Sequence, residues 1–255
     1  MPFSRVTPEK LSQSVVRQIE QLILRGILRP GERLPSERDM AEKLGVSRPS
    51  LRDAIADLAD RGLLTSRAGS GVFVADVLGS AFSPALIQLF ATHEEAVSDY
   101  IGFRRDMEGL AAERAALLGS ETDLRLIDTI FRKMEAAHQK RDPSDEAQLD
   151  AEFHMAIIEA SHNVIMLHML RSMFDLLRQG VFYNRQMLFR NRMTRDQLLD
   201  QHRAMNTAVQ ARDPAAARAA VEAHLNYVEQ AFLDQMRAEK HETIARQRLE
   251  HEATR

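Results

Sequence analysis

Apolar residues recur at helical spacing along most of this 255-residue chain and give way to short strand-like runs in one place only. Val15, Ile19, Leu22 and Ile23 share a face of a helix predicted from about residue 11 to 25, and the turn pair Pro30-Gly31 closes it. Ser36 stands where a helix cap belongs, with Asp39 three residues on at capping-box spacing. That second helix stops at Gly45, whose missing Cβ suits a left-handed C-terminal position. Ser47 caps a third helix and tolerates Pro49 in its first turn, where no intrahelical bond is lost. Leu51, Ile55 and Leu58 form its inner face, while Arg48 and Arg52, four apart, share another face near its positive end. Leu63-Leu64 and Val72–Val74 are then short strands around the tip Arg67-Ala68-Gly69-Ser70-Gly71. Three helices and a glycine-tipped hairpin outline a winged helix-turn-helix over residues 1–75, a unit that sets one helix into a DNA groove. The guanidinium forks of Arg48 and Arg52 suit guanine edges or phosphates.

Beyond this point strand signals vanish. Residues 76–84, DVLGSAFSP, read as a linker. Residues 85–238 then read as an all-α antiparallel bundle, with helices at about 94–118, 122–140, 144–160, 164–188, 194–211 and 214–237. The breaks fall at Gly119-Ser120, Asp142-Pro143, Ser161-His162-Asn163 and Asp213-Pro214. Residues 239–255 are a charged tail, expected to be a frayed helix or disordered. The fold class is therefore mainly α, in two domains.

Charge sharpens the division. The net charge of −3 is unusual for a nucleic-acid binder, but residues 1–75 hold 12 Lys and Arg against 9 Asp and Glu, leaving 22 against 28 for the rest. A mildly basic head on an acidic body fits specific DNA binding better than nonspecific coating. Without cysteine there is no disulfide framework and no thiolate chemistry. The start, MPFSRVTPEKLSQ, lacks the apolar core of a signal peptide, and the least charged stretch, 77–92, is too short and polar to span a bilayer. A cytoplasmic protein is expected.

Histidine placement carries the remaining chemistry. Asp150 and His154 lie four apart on a face that continues inward through Ile157. His202 sits on the stripe Leu198–His202–Met205–Val209, and His224 on Val221–His224–Val228. Three inward helices thus bring three imidazoles and a carboxylate, costly to bury singly but satisfied together by one divalent cation. This donor set suits Zn²⁺ first, and also Ni²⁺, Mn²⁺ or Fe²⁺, rather than Ca²⁺. His93, His138, His162, His168, His241 and His251 show no such pattern and read as surface, turn or packing residues; the Met166–Met173 stretch reads as core.

The phrases LRPGERLPSERDMAEKLGVSRPSLRDAI and GLLTSRAGSGVFV resemble the DNA-binding domain of the GntR family of bacterial transcription regulators. The resemblance implies that Arg38, Arg48 and Arg52 contact the operator, with Ser47 and the backbone around Gly69 at phosphate or minor groove. The bundle is similar to the FadR-type sensing domain through FRRDMEGLAAERAALL, DAEFHMAIIEASHNVIMLHMLRSMFDLL and QHRAMNTAVQARDPAAARAAVEAHL. In the metal-bearing branch the ligands fall on Asp150, His154, His202 and His224. An arginine four before a glutamate, here Arg104 before Glu108, is expected there to reach the carboxylate of a small-acid effector; Arg105 competes if the register slips by one. The alternative for Arg104 is a surface ion pair with Glu108. EASHNVIMLHMLRSMFDLL looks most like regulators answering to lactate, glycolate or pyruvate. The resemblance implies a homodimeric transcription factor, a repressor on an inverted-repeat operator, with no membrane partner. Two other readings stand beside it: a regulator for which the metal itself is the signal, and a helical metalloenzyme, against which no paired carboxylates or general base accompany the four ligands.

Overall fold

Two separate cores organise the chain. The computed structural model describes residues 10–67, 69–75, 83–93, 95–140, 142, 144–178, 188 and 192–253. It divides into two compact units, Met1–Ala81 and Phe82–Arg255.

In the first unit, α1 (Leu11–Leu24), α2 (Glu37–Leu44) and α3 (Arg48–Asp60) precede β1 (Leu64–Arg67) and β2 (Gly71–Val74). Val15, Ile19, Met40, Leu51, Leu58, Leu64 and Val74 close one apolar core, the inner faces read from the helical and strand periodicity. The caps form where the serines stand: Ser36 Oγ accepts from the Asp39 N–H, and Ser47 Oγ from the Ser50 N–H. Gly45 ends α2 at φ 65°, left-handed backbone that a Cβ would disfavour. The hairpin pairs Leu64 with Val74 and Arg67 with Gly71. The segment before α2 adds a third edge that the polar Glu32-Arg33 did not signal. There Leu34 N–H donates to Val72 O, Val74 N–H to Glu32 O, and Arg33 bridges Phe73. Ala68, at the predicted tip, and residues 76–82 of the predicted linker lie outside the described residues.

The second unit is a helical bundle of α4 (Pro84–Thr92), α5 (Glu95–Leu118), α6 (Glu121–His138), α7 (Ser144–Ala160), α8 (Val164–Arg178), α9 (Arg192–Gln210) and α10 (Pro214–Ala253). α5 packs along α10, α10 along α9, and α6 against both α7 and α9. Tyr100, Ile127, Phe153, Leu198, Met205, Leu225 and other apolar side chains fill the space between them. Two expectations need correction. Residues 83 and 84 do not belong to a linker: Ser83 Oγ accepts from the Leu86 N–H and Pro84 occupies the first turn, so α4 starts there. The tail is not a separate segment either, because α10 runs unbroken through Ala253. No glycine or proline interrupts residues 215–253, and pairs one turn apart such as Arg246 with Glu242 support the exposed helix. The helix predicted to residue 188 is described as far as Arg178, and the rest of that stretch, Leu188 apart, lies outside the described residues. No described helix is long and apolar enough to cross a membrane.

Candidate metal centre and nucleic-acid interface

On the first unit the five residues proposed for DNA contact lie on the surface. Arg48 and Arg52 stand one turn apart on the exposed side of α3, whose other side carries Leu51, Ile55 and Leu58 into the core. Glu37, at the start of α2, accepts from Arg52 Nε at 2.7 Å and lies 3.9 Å from Arg48 Nη2. Arg38, with 83% of its side chain exposed, faces Asp39 at 3.8 Å. Ser47 is committed locally as the cap of α3, with its Oγ 2.9 Å from Ser50 Oγ. Gly69 holds the hairpin tip at φ 72°. Every charged side chain here is half or more exposed except Glu37, so these pairs are screened and exchangeable.

Inside the second unit the geometry is different. Asp150 and His154 leave α7 on one face, His202 comes from α9 and His224 from α10, and all four are buried. One ligand-type atom of each lies within 4.8 Å of the others. His202 Nε2 is 3.0 Å from Asp150 Oδ1 and 3.3 Å from His154 Nε2, while the His202 and His224 rings are 4.5 Å apart. Nitrogens of three rings thus converge on one carboxylate in a space of metal-ion size.

The outer nitrogens of two rings are also occupied. His154 Nδ1 lies 2.6 Å from Glu108 Oε2, and His224 Nδ1 lies 2.9 Å from Gln201 Oε1. Gln201 Oε1 accepts, so His224 Nδ1 carries the proton and its Nε2 keeps a lone pair for the cluster, and the Glu108 carboxylate beside His154 Nδ1 favours the same tautomer there. That second layer is what a metal-binding imidazole requires, and the donor set fits a divalent transition ion. Glu108 in turn accepts from Arg104 Nε at 2.5 Å. Burial alone pushes its carboxyl upward, but the Arg104 guanidinium, with His154 beside it, outweighs this and holds it at about 2. Arg104 itself is 1% exposed, its guanidinium 4.7 Å from the Phe174 ring centroid.

The sequence reading thus finds its four candidate ligands in one place. Arg104 points inward, joined to them through Glu108. Arg105 reaches instead to Asn226 and Glu229 on α10. The Arg104–Glu108 pair read as a surface alternative exists, but it is buried. Missed were the roles of Glu108 and Gln201: the four-residue spacing from Arg104 was visible, but nothing in the pattern said that a second helix face turned inward. Of the surface, turn or packing alternatives read for His138, the structure gives the buried one, with a carboxylate at each ring nitrogen that the sequence pattern did not signal.

Comparison with known proteins agrees with this division. Residues 11–74 match the profile of "Bacterial regulatory proteins, gntR family", and residues 99–227 that of the FCD domain. The chain is 36% identical over 227 residues to the "Putative L-lactate dehydrogenase operon regulatory protein" of Escherichia coli K12, covering 88% of this chain and 86% of that one. It is 34% identical over 227 residues to the "Glc operon transcriptional activator" of the same strain, covering 88% and 89%. Among solved structures, Streptococcus agalactiae GntR aligns with a TM-score of 0.52 and 25% identity over 86% of this chain and 99% of that one.

Proposed function

From the premise that the chain belongs to the gntR family of bacterial regulatory proteins, with an FCD domain behind its DNA-binding unit, we propose that a small monocarboxylic acid controls its grip on an operator. The family makes it a transcription regulator and not an enzyme. Asp150, His154, His202 and His224 hold a divalent metal, zinc in the first instance. Arg38, Arg48, Arg52, Ser47 and the Gly69 backbone contact the DNA. The protein works as a cytoplasmic homodimer, a repressor on an inverted repeat. The apolar helix α4, none of whose residues is buried in the single chain, fits a dimer.

The observation that carries the reading is the charge of the buried centre. Asp150 and Glu108 are anionic, Arg104 is cationic, and the three imidazoles are neutral when they ligate. A divalent ion added to this set leaves one net positive charge out of water, which a single carboxylate neutralises. The metal supplies an electrophilic anchor for that carboxylate and a neighbouring oxygen. Arg104 supplies a fork of donors beside it once Glu108 shares the guanidinium. A 2-hydroxy or 2-oxo acid such as lactate, glycolate or pyruvate offers those two oxygens, and the operon named for the first relative supports that size of ligand. Acid binding favours a dimer geometry that mismatches the operator, with a coupling of about 1–3 kcal/mol.

A thermal-shift series tests this. Metal-loaded protein is melted with lactate, glycolate, pyruvate and matched dicarboxylates, then again after chelation and as His202→Ala. A monocarboxylate should stabilise the loaded wild type, dicarboxylates less, and neither control should respond. Stabilisation by metal alone moves the reading to a metal-responsive regulator. No response to metal or acid removes it.

A further inference from the structure

A second group of charged side chains is buried in the bundle, apart from the metal ligands. His138, in the last turn of α6, is 5% exposed. Its Nδ1 lies 2.6 Å from Glu146 Oε1 in the first turn of α7, and its Nε2 2.9 Å from Asp196 Oδ1 near the start of α9. Both ring nitrogens of His138 therefore lie at hydrogen-bond distance from a carboxylate oxygen, one on α7 and one on α9. Arg195, also buried, donates from Nε to Glu146 Oε2 at 2.6 Å. Its Nη2 donates to the His138 and Lys140 carbonyls, both at 3.1 Å, which satisfies carbonyls that α6 leaves open at its C-terminus. At the rim Lys140 Nζ pairs with Asp145 at 2.6 Å. In the buried part the Arg195 guanidinium faces the Glu146 carboxylate, so that pair is self-neutralising.

Its place in the bundle gives it consequence. Glu146 lies one turn before Asp150 on α7, and Arg195 two turns before His202 on α9. Among the described residues α7 and α9 meet at few points, and polar contacts join them at two levels: Asp150 and His154 to His202 at 3.0 and 3.3 Å, and Glu146 to Arg195 at 2.6 Å. We infer that His138, Glu146, Arg195 and Asp196 are positioning residues for the metal centre. Their brace fixes the register of α9 against α7, and with it the distance of His202 from Asp150 and His154. Apolar side chains of the same volume would hold the helices together as firmly, but they allow sliding. Directional contacts at both nitrogens of one imidazole ring do not. The inference rests on the metal-centre reading above and adds residues outside the ligand set.

Cobalt(II) alone is the probe: its affinity is measured against a chromophoric chelator and its visible spectrum reports ligand geometry. His138→Gln and Glu146→Gln should each bind cobalt about tenfold more weakly, toward the low end of outer-layer effects, with an altered spectrum. His162→Ala, a surface histidine, should match the wild type. Unchanged affinity and spectrum in both buried variants overturns the inference even if their melting temperatures fall. If those variants do not fold, Asp196→Asn decides, because its side chain is 52% exposed. An altered cobalt spectrum there supports the brace, and an unchanged one overturns it. A wild type that binds no cobalt refutes the metal-centre reading itself, an outcome distinct from wild-type binding that the variants leave untouched.

Discussion

Each unit contains an Arg–Glu pair of nearly the same length. Arg52 meets Glu37 at 2.7 Å and Arg104 meets Glu108 at 2.5 Å. In the first the side chains are 60% and 34% exposed, in the second 1% and 2%. Distance therefore says little about what either pair does. Beside water the attraction is screened, and the guanidinium trades Glu37 for another anion at small cost, which is what a DNA-reading arginine needs. In the bundle both partners are out of water, so the pair holds its geometry, and the second Glu108 oxygen lies 2.6 Å from His154 Nδ1. The DNA-reading unit keeps its chemistry on a rim over an apolar core, whereas the bundle makes its chemistry part of the core.

The largest separation between the two pairs should appear in stability. Glu108→Ala removes the carboxylate paired with a buried guanidinium and is expected to cost about 3–5 kcal/mol in urea unfolding. Glu37→Ala should stay within about 0.5 kcal/mol of wild type. Equal losses would break the comparison.

A shape-conserving change sharpens it. In Glu108→Gln one end of the amide must accept and the other donate, yet both neighbours, Arg104 Nε–H and His154 Nδ1–H, are donors. If the amide oxygen stays on Arg104, its NH₂ faces His154 and moves that proton to Nε2, where it blocks the metal. Metal affinity should therefore fall about 10–100-fold, while the unfolding loss stays below that of Glu108→Ala. Wild-type metal affinity in a competition assay would mean that Glu108 does not set the His154 tautomer.

Much of this contrast was legible in the chain before folding. The Ser36, Ser47 and Gly45 boundaries and the face Leu51–Ile55–Leu58 are local signals, and the structure places them as read. The four candidate ligands were legible because each sits on a helix whose apolar stripe declares its inside. Glu108, Gln201 and His138 were not, since their burial depends on which helix packs over them. α5 shows how the signal is lost: it buries Val97, Tyr100 and Ile101 but also Arg104, Glu108 and Gly109, so no apolar stripe marks where its charges go. The extra edge at Arg33 and the helix α4 escaped for a related reason, since a polar edge and a nine-residue helix carry little periodicity.

On the recognition side the expected losses fall in binding and not in stability. Arg48→Ala and Arg52→Ala should each weaken a duplex selected from a random pool by the wild-type protein, by about 1–3 kcal/mol at fixed salt. The same variants should unfold within about 0.5 kcal/mol of wild type, because both side chains already stand largely in water. Loss of binding without loss of stability is the signature of a charge held ready for a partner, and Glu108→Ala should show large loss of stability instead. If both arginine variants bind the duplex as wild type does, α3 is not the reading helix. The exposed pairs would then be ordinary solvated charges, and the contrast between rim and core would describe packing alone.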